Sequence, residues 1–249
     1  MERGARDLAD ERERVLNAIA EARRWLVGAR RVVALTGAGI SAESGVPTFR
    51  GPQGLWREFK PEELATPEAF AQNPGLVWEW YDWRRALIAG CVPNAGHLAL
   101  ARYEKVRVVT QNVDGLHARA GSAEVLEIHG SIWRLVCTEC GAAREDLTVP
   151  LKPLPPRCGC GGMERPGVVW FGEALRRGVW AESERLVRSA EVLLVVGTSG
   201  AVYPAAGLAH TARVAGAKVI EINLERTALS REVDLSLLGP SGEILPELI

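Results

Sequence analysis

The sequence lacks the features that mark membrane, secreted and nucleic-acid-binding proteins. Its longest apolar runs, such as residues 192–196, are strand-sized and fall well short of the roughly 20 residues that a bilayer-spanning helix needs. Residues 1–30 carry charges throughout and contain no apolar stretch typical of a secretory signal. The formal net charge of −1 disfavours a basic nucleic-acid-binding domain. These absences predict a cytoplasmic protein with neither a membrane nor a nucleic-acid partner.

Cysteine is also scarce, with five residues in a chain of 249. An odd number argues against a disulfide framework, and four of the five fall within residues 137–160. Such clustering is typical of a metal site. Apolar residues make up 47% and charged residues 24%, which is ordinary globular usage. The chain is therefore long and apolar enough to bury a large core in one or two domains.

Short apolar runs rich in β-branched residues alternate with helical stretches along the chain. An amphipathic helix is predicted first, between Asp7 and Leu26. The apolar runs cover residues 31–36, 106–110, 125–129, 192–197 and 218–223. Near-continuous apolar strands separated by helices are typical of a parallel sheet with helices on both faces. The predicted fold class is therefore α/β, with a Rossmann-like sheet.

Two segments interrupt this alternation. Residues 52–93 are rich in aromatic side chains and short helical patterns, and residues 134–166 are rich in glycine, proline and cysteine. We interpret them as the helical part and the zinc-binding part of an inserted small domain. The Rossmann-like domain is then expected to comprise residues 1–51, 94–133 and 167–249.

A glycine-rich turn follows the first predicted strand. Residues 37–42, Gly-Ala-Gly-Ile-Ser-Ala, fit the dinucleotide-binding fingerprint in its alanine-ending form. Glycines there let backbone N–H groups approach a pyrophosphate at a helix N-terminus, although glycines after a strand also serve a simple tight turn. A Rossmann dehydrogenase would carry an acidic residue at the end of a second strand, about 20 residues on. Here the chain enters the inserted segment instead, which disfavours hydride transfer.

Residues 37–50, Gly-Ala-Gly-Ile-Ser-Ala-Glu-Ser-Gly-Val-Pro-Thr-Phe-Arg, resemble the signature of the sirtuins, the NAD-dependent protein lysine deacylases. Residues 166–173, Pro-Gly-Val-Val-Trp-Phe-Gly-Glu, resemble the strand by which that family binds acyl-lysine. Four further segments resemble the family in the same order: Thr-Gln-Asn-Val-Asp-Gly-Leu-His at 110–117, His129-Gly130, Gly197-Thr198-Ser199 and Ile222-Asn223. Together the resemblance spans residues 31 to about 245, nearly the whole chain.

The resemblance implies that NAD and an acyl-lysine side chain meet in a cleft between the two domains. Phe49 and Arg50 would shield the reactive C1′ carbon from water and contact the phosphates. Val168, Val169 and Phe171 would bind the acyl-lysine. The implied NAD-binding residues are Gly37, Ala38, Gly39, Ser41, Phe49, Arg50, Gln111, Asn112, Asp114, Gly197, Thr198, Ser199, Asn223, Leu224, Glu225 and Ser241.

The same resemblance assigns catalysis to His129, with Asn112 and Asp114. The acyl oxygen attacks C1′ of the nicotinamide ribose, nicotinamide leaves, and His129 activates a ribose hydroxyl that attacks the imidate. The products are free lysine, nicotinamide and O-acyl-ADP-ribose. An ordinary histidine pKa near 6.5 suits a general base at neutral pH. On the residues alone, a strand-end histidine is more often structural than catalytic, and the alternative for Asn-Val-Asp-Gly is a polar turn with Asx-type hydrogen bonds.

The cysteine spacing predicts one structural zinc ion per chain. Cys137 and Cys140 are followed, after residues 141–157, by Cys158 and Cys160. Two thiolate pairs at this separation are typical of a tetrahedral zinc site without an open coordination position. The second pair has one intervening residue where zinc ribbons have two, and Gly159 allows that tighter turn. The alternative is a reduced, metal-free cluster.

Tyr81 and Arg84 are three residues apart on a predicted aromatic helix and therefore share a face. They resemble the Tyr-x-x-Arg pair of class III sirtuins, which prefer succinyl- and malonyl-lysine. A guanidinium fork and a phenol are suited to a buried acyl carboxylate. Arg85 projects about 100° further round the helix and is expected not to affect this preference. The alternative is an aromatic helix packed on the core with Arg84 in solvent.

The predicted function is NAD-dependent deacylation of acyl-lysine proteins or peptides, with desuccinylase and demalonylase activity ahead of deacetylase activity. Two other classes stay open from the sequence. A protein ADP-ribosyltransferase would use the same NAD site but deliver ribose to a protein nucleophile. A non-catalytic NAD-sensing module would need no base, and His129 counts against it.

Overall fold

The computed structural model describes residues 16–47 and 60–249. Its strands are β1 (Val32–Thr36), β2 (Val106–Thr110), β3 (Val125–Glu127), β4 (Gly130–Cys137), β5 (Ala143–Glu145), β6 (Glu164–Val168), β7 (Val192–Val196), β8 (Lys218–Asn223) and β9 (Leu235–Leu238). Its helices are α1 (16–28), α2 (Ala38–Ala42), α3 (Pro61–Leu64), α4 (Pro67–Gln72), α5 (Pro74–Ala89), α6 (Ala95–Arg102), α7 (Leu116–Arg119), α8 (Arg177–Ser189), α9 (Gly207–Val214) and α10 (Ser241–Leu248).

The larger sheet has six parallel strands in the order β3-β2-β1-β7-β8-β9. Alternate residues of its central strands face opposite sides, so both faces are apolar. On β1, Val32 and Ala34 pack with residues of α1, α6 and α10, whereas Val33 and Leu35 pack with residues of α8 and α9. The sheet is therefore the middle layer of a three-layer α/β fold, as the sequence predicts.

A second body, called here the small lobe, consists of α3–α5 and an antiparallel sheet in the order β5-β4-β6. Its core is strongly aromatic and centres on Trp78, Trp80 and Tyr81 of α5, each at most 2% exposed. Leu116 and Trp170 join the same core although they belong to segments that the sequence assigns to the larger domain. The boundaries given above stay a prediction.

The strands predicted at residues 106–110 and 218–223 have those bounds in the structure, and the other three begin or end one or two residues inside the predicted runs. Strands β4, β5 and β9 are absent from the prediction, and β6 overlaps the start of segment 166–173, which resembles the acyl-lysine-binding strand of the sirtuins. The described part of the first predicted helix is helical over 16–28. Among the described residues, no helix combines the length and apolar character needed to cross a membrane.

Candidate functional site

Polar side chains gather where four parallel strands end. Asn112, after β2, donates through Nδ2 to the carbonyl of Gly37, after β1, at 3.0 Å. Gln111 donates through Nε2 to Thr198 Oγ1, after β7, at 3.1 Å. Asn223, the last residue of β8, donates to the Thr198 carbonyl at 2.9 Å. The carboxyl edge of a parallel sheet is where open α/β folds bind ligands, and these amides and hydroxyls match ribose and carboxamide groups.

The glycines at this edge are required by backbone packing. A Cβ atom on Gly39 would lie 2.7 Å from the Cα atom of Gly197, and one on Gly37 would lie 2.8 Å from the Gly197 carbonyl oxygen. The amides of Gly37 and Gly39 donate to the carbonyls of Val196 and Gly197 at 2.9 and 2.8 Å. Both N–H groups are thus bonded within the protein. Glycine here lets the β1–α2 turn lie against the end of β7, beside the half-buried Ala38.

Two buried histidines lie beneath this edge. Ser41 Oγ, which accepts from Asn112 Nδ2 at 3.0 Å, lies 3.4 Å from His97 Nε2. His117 Nε2 lies 2.9 Å from Thr36 Oγ1, and the two imidazole rings are 4.8 Å apart. Burial lowers the pKa of His97 to about 4, and burial together with the neighbouring His97 lowers that of His117 to about 3. Both rings are therefore neutral at neutral pH.

Asp114 is buried and takes part in a local turn. Its Oδ1 accepts from the amide of Leu116 at 2.8 Å, which is the Asx-type hydrogen bond that its polar turn allows. Burial raises the pKa of this carboxyl, while the Leu116 amide, Ser41, Arg84 and Arg119 lower it. The turn does not separate Asp114 from the site, because Ser41, which lowers the pKa of Asp114, also accepts a hydrogen bond from Asn112.

His129 lies between β3 and β4, two residues beyond the observed end of β3. Its Nδ1 is 3.0 Å from the Gln111 carbonyl oxygen. A carbonyl only accepts, so Nδ1 carries the proton and Nε2 carries the free lone pair. Burial lowers the pKa of His129, and the bond to Gln111 raises it. The imidazole is thus oriented with a basic nitrogen, as a general base requires.

The segment after β6 connects this histidine to the small lobe. The Val169 amide donates to the His129 carbonyl at 2.8 Å, and the Phe171 amide donates to the Ala65 carbonyl at 3.0 Å. Val168 and Val169 are half-buried, and Phe171 is 47% exposed. Gly130, with φ of +77°, allows the close approach, since a Cβ there would lie 2.1 Å from the Gly167 carbonyl oxygen.

Tyr81 and Arg84 lie on α5, as the sequence predicts. Tyr81 is 2% exposed, and Arg84 is half-buried with its guanidinium 5.1 Å from the centre of the Trp80 ring. Burial lowers the pKa of Arg84, whereas Tyr81 and Asp114 raise it. The charge of Arg84 is therefore favoured both by Tyr81 on the same helix and by the Asp114 carboxylate at the edge of the larger sheet. The alternative of a fully solvated Arg84 does not agree with this environment.

Arg85 has a structural role, and its expected lack of effect on the acyl preference stays a prediction. It is fully buried, and its guanidinium donates to the carbonyls of Ile132, Asp146 and Thr148 at 2.8, 2.6 and 3.0 Å. It also pairs with the Asp146 carboxylate at 3.6 Å. Arg85 joins α5 to β4 and to the segment after β5. It is unsuitable as a neutral control for Arg84, because its replacement would leave several buried carbonyls without a donor.

The four clustered cysteines come together at the tip of the small lobe. Their Sγ atoms all lie within 4.8 Å of one another. The Cys137–Cys160 and Cys140–Cys158 sulfur distances are 3.5 and 3.8 Å. Four thiolates at about 2.3 Å from a tetrahedral zinc ion are roughly 3.8 Å apart, so the set fits zinc. The shortened second cysteine pair does not prevent this arrangement. The turn after Cys160 is closed by a hydrogen bond from the Gly162 amide to Cys160 Sγ at 3.4 Å.

Some predicted residues do not join the polar group at the sheet edge. Ser199, Leu224 and Glu225 are exposed. Ser241 is buried and donates to Glu43 Oε1 at 2.5 Å, where that carboxylate also caps α10. Phe49 and Arg50 lie outside the described residues. Trp170 and the two buried histidines, in contrast, were not predicted. Trp170 is buried, whereas Val169 beside it is half-buried and Phe171 is exposed.

Comparison with known proteins agrees with this geometry. The chain is 55% identical to NAD-dependent protein deacylase 2 of Pyrobaculum aerophilum over 229 residues, which is 90% of this chain and 92% of that protein. It is 57% identical to the NAD-dependent protein deacylase of Aquifex aeolicus over 209 residues, 82% and 87% of the two chains.

Solved structures give the same result. A Sir2 homologue in complex with NAD has a TM-score of 0.88 and 45% identity, covering 92% of this chain and 91% of that one. A Sir2–p53 peptide–NAD+ complex has a TM-score of 0.82 and 31% identity, covering 90% and 94%. The sequence profile of the Sir2 family matches residues 37–204. With relatives of this similarity along most of both chains, the protein belongs to the Sir2 family.

Proposed function

We propose that this Sir2-family chain is an NAD-dependent protein deacylase that removes acidic acyl groups, succinyl and malonyl, in preference to acetyl. The deacylase part is supported by relatives at 55% and 57% identity that carry this activity in their names. The acyl preference is supported by one observation: Tyr81 and Arg84 lie three residues apart on α5 of the small lobe, where Tyr81 is buried and Arg84 is half-buried.

In this proposal, NAD occupies the carboxyl edge of the larger sheet. Bound NAD supplies an electrophilic C1′ carbon and nicotinamide as the leaving group. Asn112, Gln111 and Thr198 present amides and a hydroxyl to its ribose and carboxamide groups. Asn112 is fixed in turn by its bonds to Gly37 and Ser41. The adenosine-side roles of Gly197, Ser199, Asn223, Leu224, Glu225 and Ser241, and the roles of Phe49 and Arg50, belong to the proposal as well.

His129 acts as the general base. Its Nδ1–H is held by the Gln111 carbonyl, so Nε2 faces the reaction with a lone pair. With NAD bound, it would take the proton of the ribose hydroxyl that bonds to the acyl carbon, and the bond from that carbon to the lysine nitrogen would break to release the free amine. The lowered pKa keeps the imidazole unprotonated at neutral pH. The acyl-lysine enters along Val168, Val169 and Phe171, which are connected to His129 through the Val169 amide.

The acidic end of the acyl group lies against Tyr81 and Arg84. A carboxylate taken from water needs charged or strong donors, and a guanidinium fork beside a phenol supplies them. An acetyl group has no charge to satisfy and gains nothing from the pair. Losing one partner of such a charge pair costs about 2–5 kcal/mol. The pair therefore distinguishes acyl groups by their charge.

The test compares succinyl-, malonyl- and acetyl-lysine versions of one peptide with NAD, measuring kcat/KM by mass spectrometry. Arg84→Met should lower kcat/KM for the succinyl peptide by roughly 100-fold and leave the acetyl value within a few-fold. Arg188→Met, an exposed arginine of α8, is the matched control and should change neither value. Equal losses on both peptides would show that Arg84 is structural. ADP-ribosylated peptide without O-acyl-ADP-ribose would indicate the transferase instead.

A further inference from the structure

Trp170 lies between two residues proposed to bind substrate, yet its side chain belongs to the core of the small lobe. Only 3% of Trp170 is exposed, against 47% of Phe171. Its ring centre is 5.2 Å from that of Phe70. Its indole Nε1–H donates to Tyr81 Oη at 2.9 Å. The indole therefore bonds directly to the phenol on which the proposed acyl preference depends.

The direction of this hydrogen bond determines what Tyr81 can do. An indole N–H is a donor only, so the phenol oxygen is the acceptor. The proton of the Tyr81 hydroxyl is not used in this bond. Within residues 16–47 and 60–249, no acceptor takes it. The proton is therefore available to an acceptor that enters from outside, such as a carboxylate on the acyl chain.

Tyr81 also remains a phenol at neutral pH. Burial raises its pKa to about 12, although Arg84 and the Trp170 bond act in the opposite direction. Its ring is held edge-on by Trp80, with centroids 4.6 Å apart and planes at 70°. A fixed ring leaves the hydroxyl one main freedom, rotation about the C–O bond. A donor on one side of the oxygen restricts that rotation.

Trp170 is itself fixed by charged side chains. The Arg165 guanidinium lies 3.5 Å from the centre of the indole ring. Arg165 forms two bonds to Glu173, at 2.5 and 2.9 Å. Glu173 Oε2 accepts the backbone amide of Trp170 at 2.8 Å. The ion pair thus holds both the ring and the backbone of Trp170, which gives its N–H a defined direction.

We propose that Trp170 is a positioning residue for acyl selectivity: its indole N–H occupies one side of the Tyr81 oxygen, so that the phenol proton is directed to the carboxylate of an acidic acyl group. This inference rests on the proposed function. Trp170 does not contact the acyl group itself. It acts by reducing the number of orientations of the Tyr81 hydroxyl in which the proton points away from the acyl carboxylate.

The test uses Trp170→Phe, which keeps a ring and removes the N–H. We expect kcat/KM for the succinyl peptide to fall by about tenfold relative to the acetyl peptide, mainly through a higher KM. Trp78→Phe is the matched control. Trp78 is equally buried, but its indole donates to the Glu164 carbonyl at 2.8 Å. The Trp78→Phe variant should be less stable than the wild type, with an unchanged ratio of succinyl to acetyl kcat/KM.

A double-mutant cycle separates positioning from packing. In a Tyr81→Phe background no phenol proton exists, so Trp170→Phe should not change the succinyl-to-acetyl ratio further. If Tyr81→Phe lowers the ratio but Trp170→Phe does not, or if the two effects multiply, the inference is wrong while the proposed function stands. If neither the wild type nor Tyr81→Phe distinguishes succinyl from acetyl peptides, the proposed acyl preference fails and the inference with it.

Discussion

The two buried imidazoles predict a loss of stability on acidification. His97 and His117 are neutral in the folded chain, with pKa values of about 4 and about 3, against an ordinary value of 6.5. Below pH 6.5 the unfolded chain binds protons at these positions and the folded chain does not. Protonation therefore favours unfolding, and stability falls as the pH drops from 6.5 towards the folded values.

The magnitude follows from these pKa values. Between pH 7 and pH 5 each histidine contributes a loss of about 2 kcal/mol, because each protonates in the unfolded chain over that interval and stays neutral in the folded one. Together the loss is about 4 kcal/mol. With a urea m-value of about 3 kcal/mol/M, the unfolding midpoint would fall by roughly 1.3 M.

Urea unfolding at the two pH values, followed by tryptophan fluorescence, measures this effect. His97→Gln removes one titrating ring, so its pH-dependent loss should be about 2 kcal/mol smaller than that of the wild type. Carboxyl groups that titrate in the same range are identical in both proteins, so their contribution to the unfolding free energy cancels in the comparison. An identical pH dependence for wild type and His97→Gln would refute the reasoning, because the ring would then be protonated in the folded chain.

Three further substitutions test separate parts of the structure. His129→Ala should lower turnover by about 10²–10⁴-fold while NAD binding, measured by calorimetry, stays within a few-fold; near-normal turnover would remove it from the mechanism. Cys158→Ser should yield less than one zinc per chain by metal analysis and a lower unfolding temperature, whereas Cys91→Ser should keep its zinc. Arg85→Met should cost about 3 kcal/mol or more in urea unfolding, because it leaves buried carbonyls unpaired, and Arg188→Met should cost little.

The sequence predicts the larger sheet well because its information is local. Buried parallel strands are continuous apolar runs, and the residues that follow them reach one edge by the geometry of the sheet. Gln111 and Asn112 are placed at that edge by this geometry, whereas Thr198 is expected there only from the resemblance to the sirtuins. The antiparallel sheet of the small lobe has weaker signals. The five residues of β6 include a proline and a glycine, and β5 has three exposed residues. Their pairing depends on contacts that are distant in the sequence.

For Arg85 and Trp170, too, the sequence does not identify the contact that determines the role of the side chain. Helical geometry separates Arg85 from Arg84 by direction, but it cannot identify what lies opposite, which is a set of carbonyls 47–63 residues later in the chain. The sequence likewise does not identify Tyr81 as the partner of Trp170. In both cases the role depends on an acceptor supplied by another element.

The bonds of Arg85 connect the strand that ends at the four-cysteine cluster to the helix that carries Arg84. Arg85 holds Ile132 of β4, the strand that ends at Cys137, and it is the next residue on α5 after Arg84. Loss of the metal would loosen β4 and, through Arg85, the orientation of Arg84. Equilibrium coupling is reciprocal, so a bound succinyl peptide should tighten zinc binding in turn. A chelator competing for the metal should therefore extract less of it from the peptide-saturated protein than from the free protein.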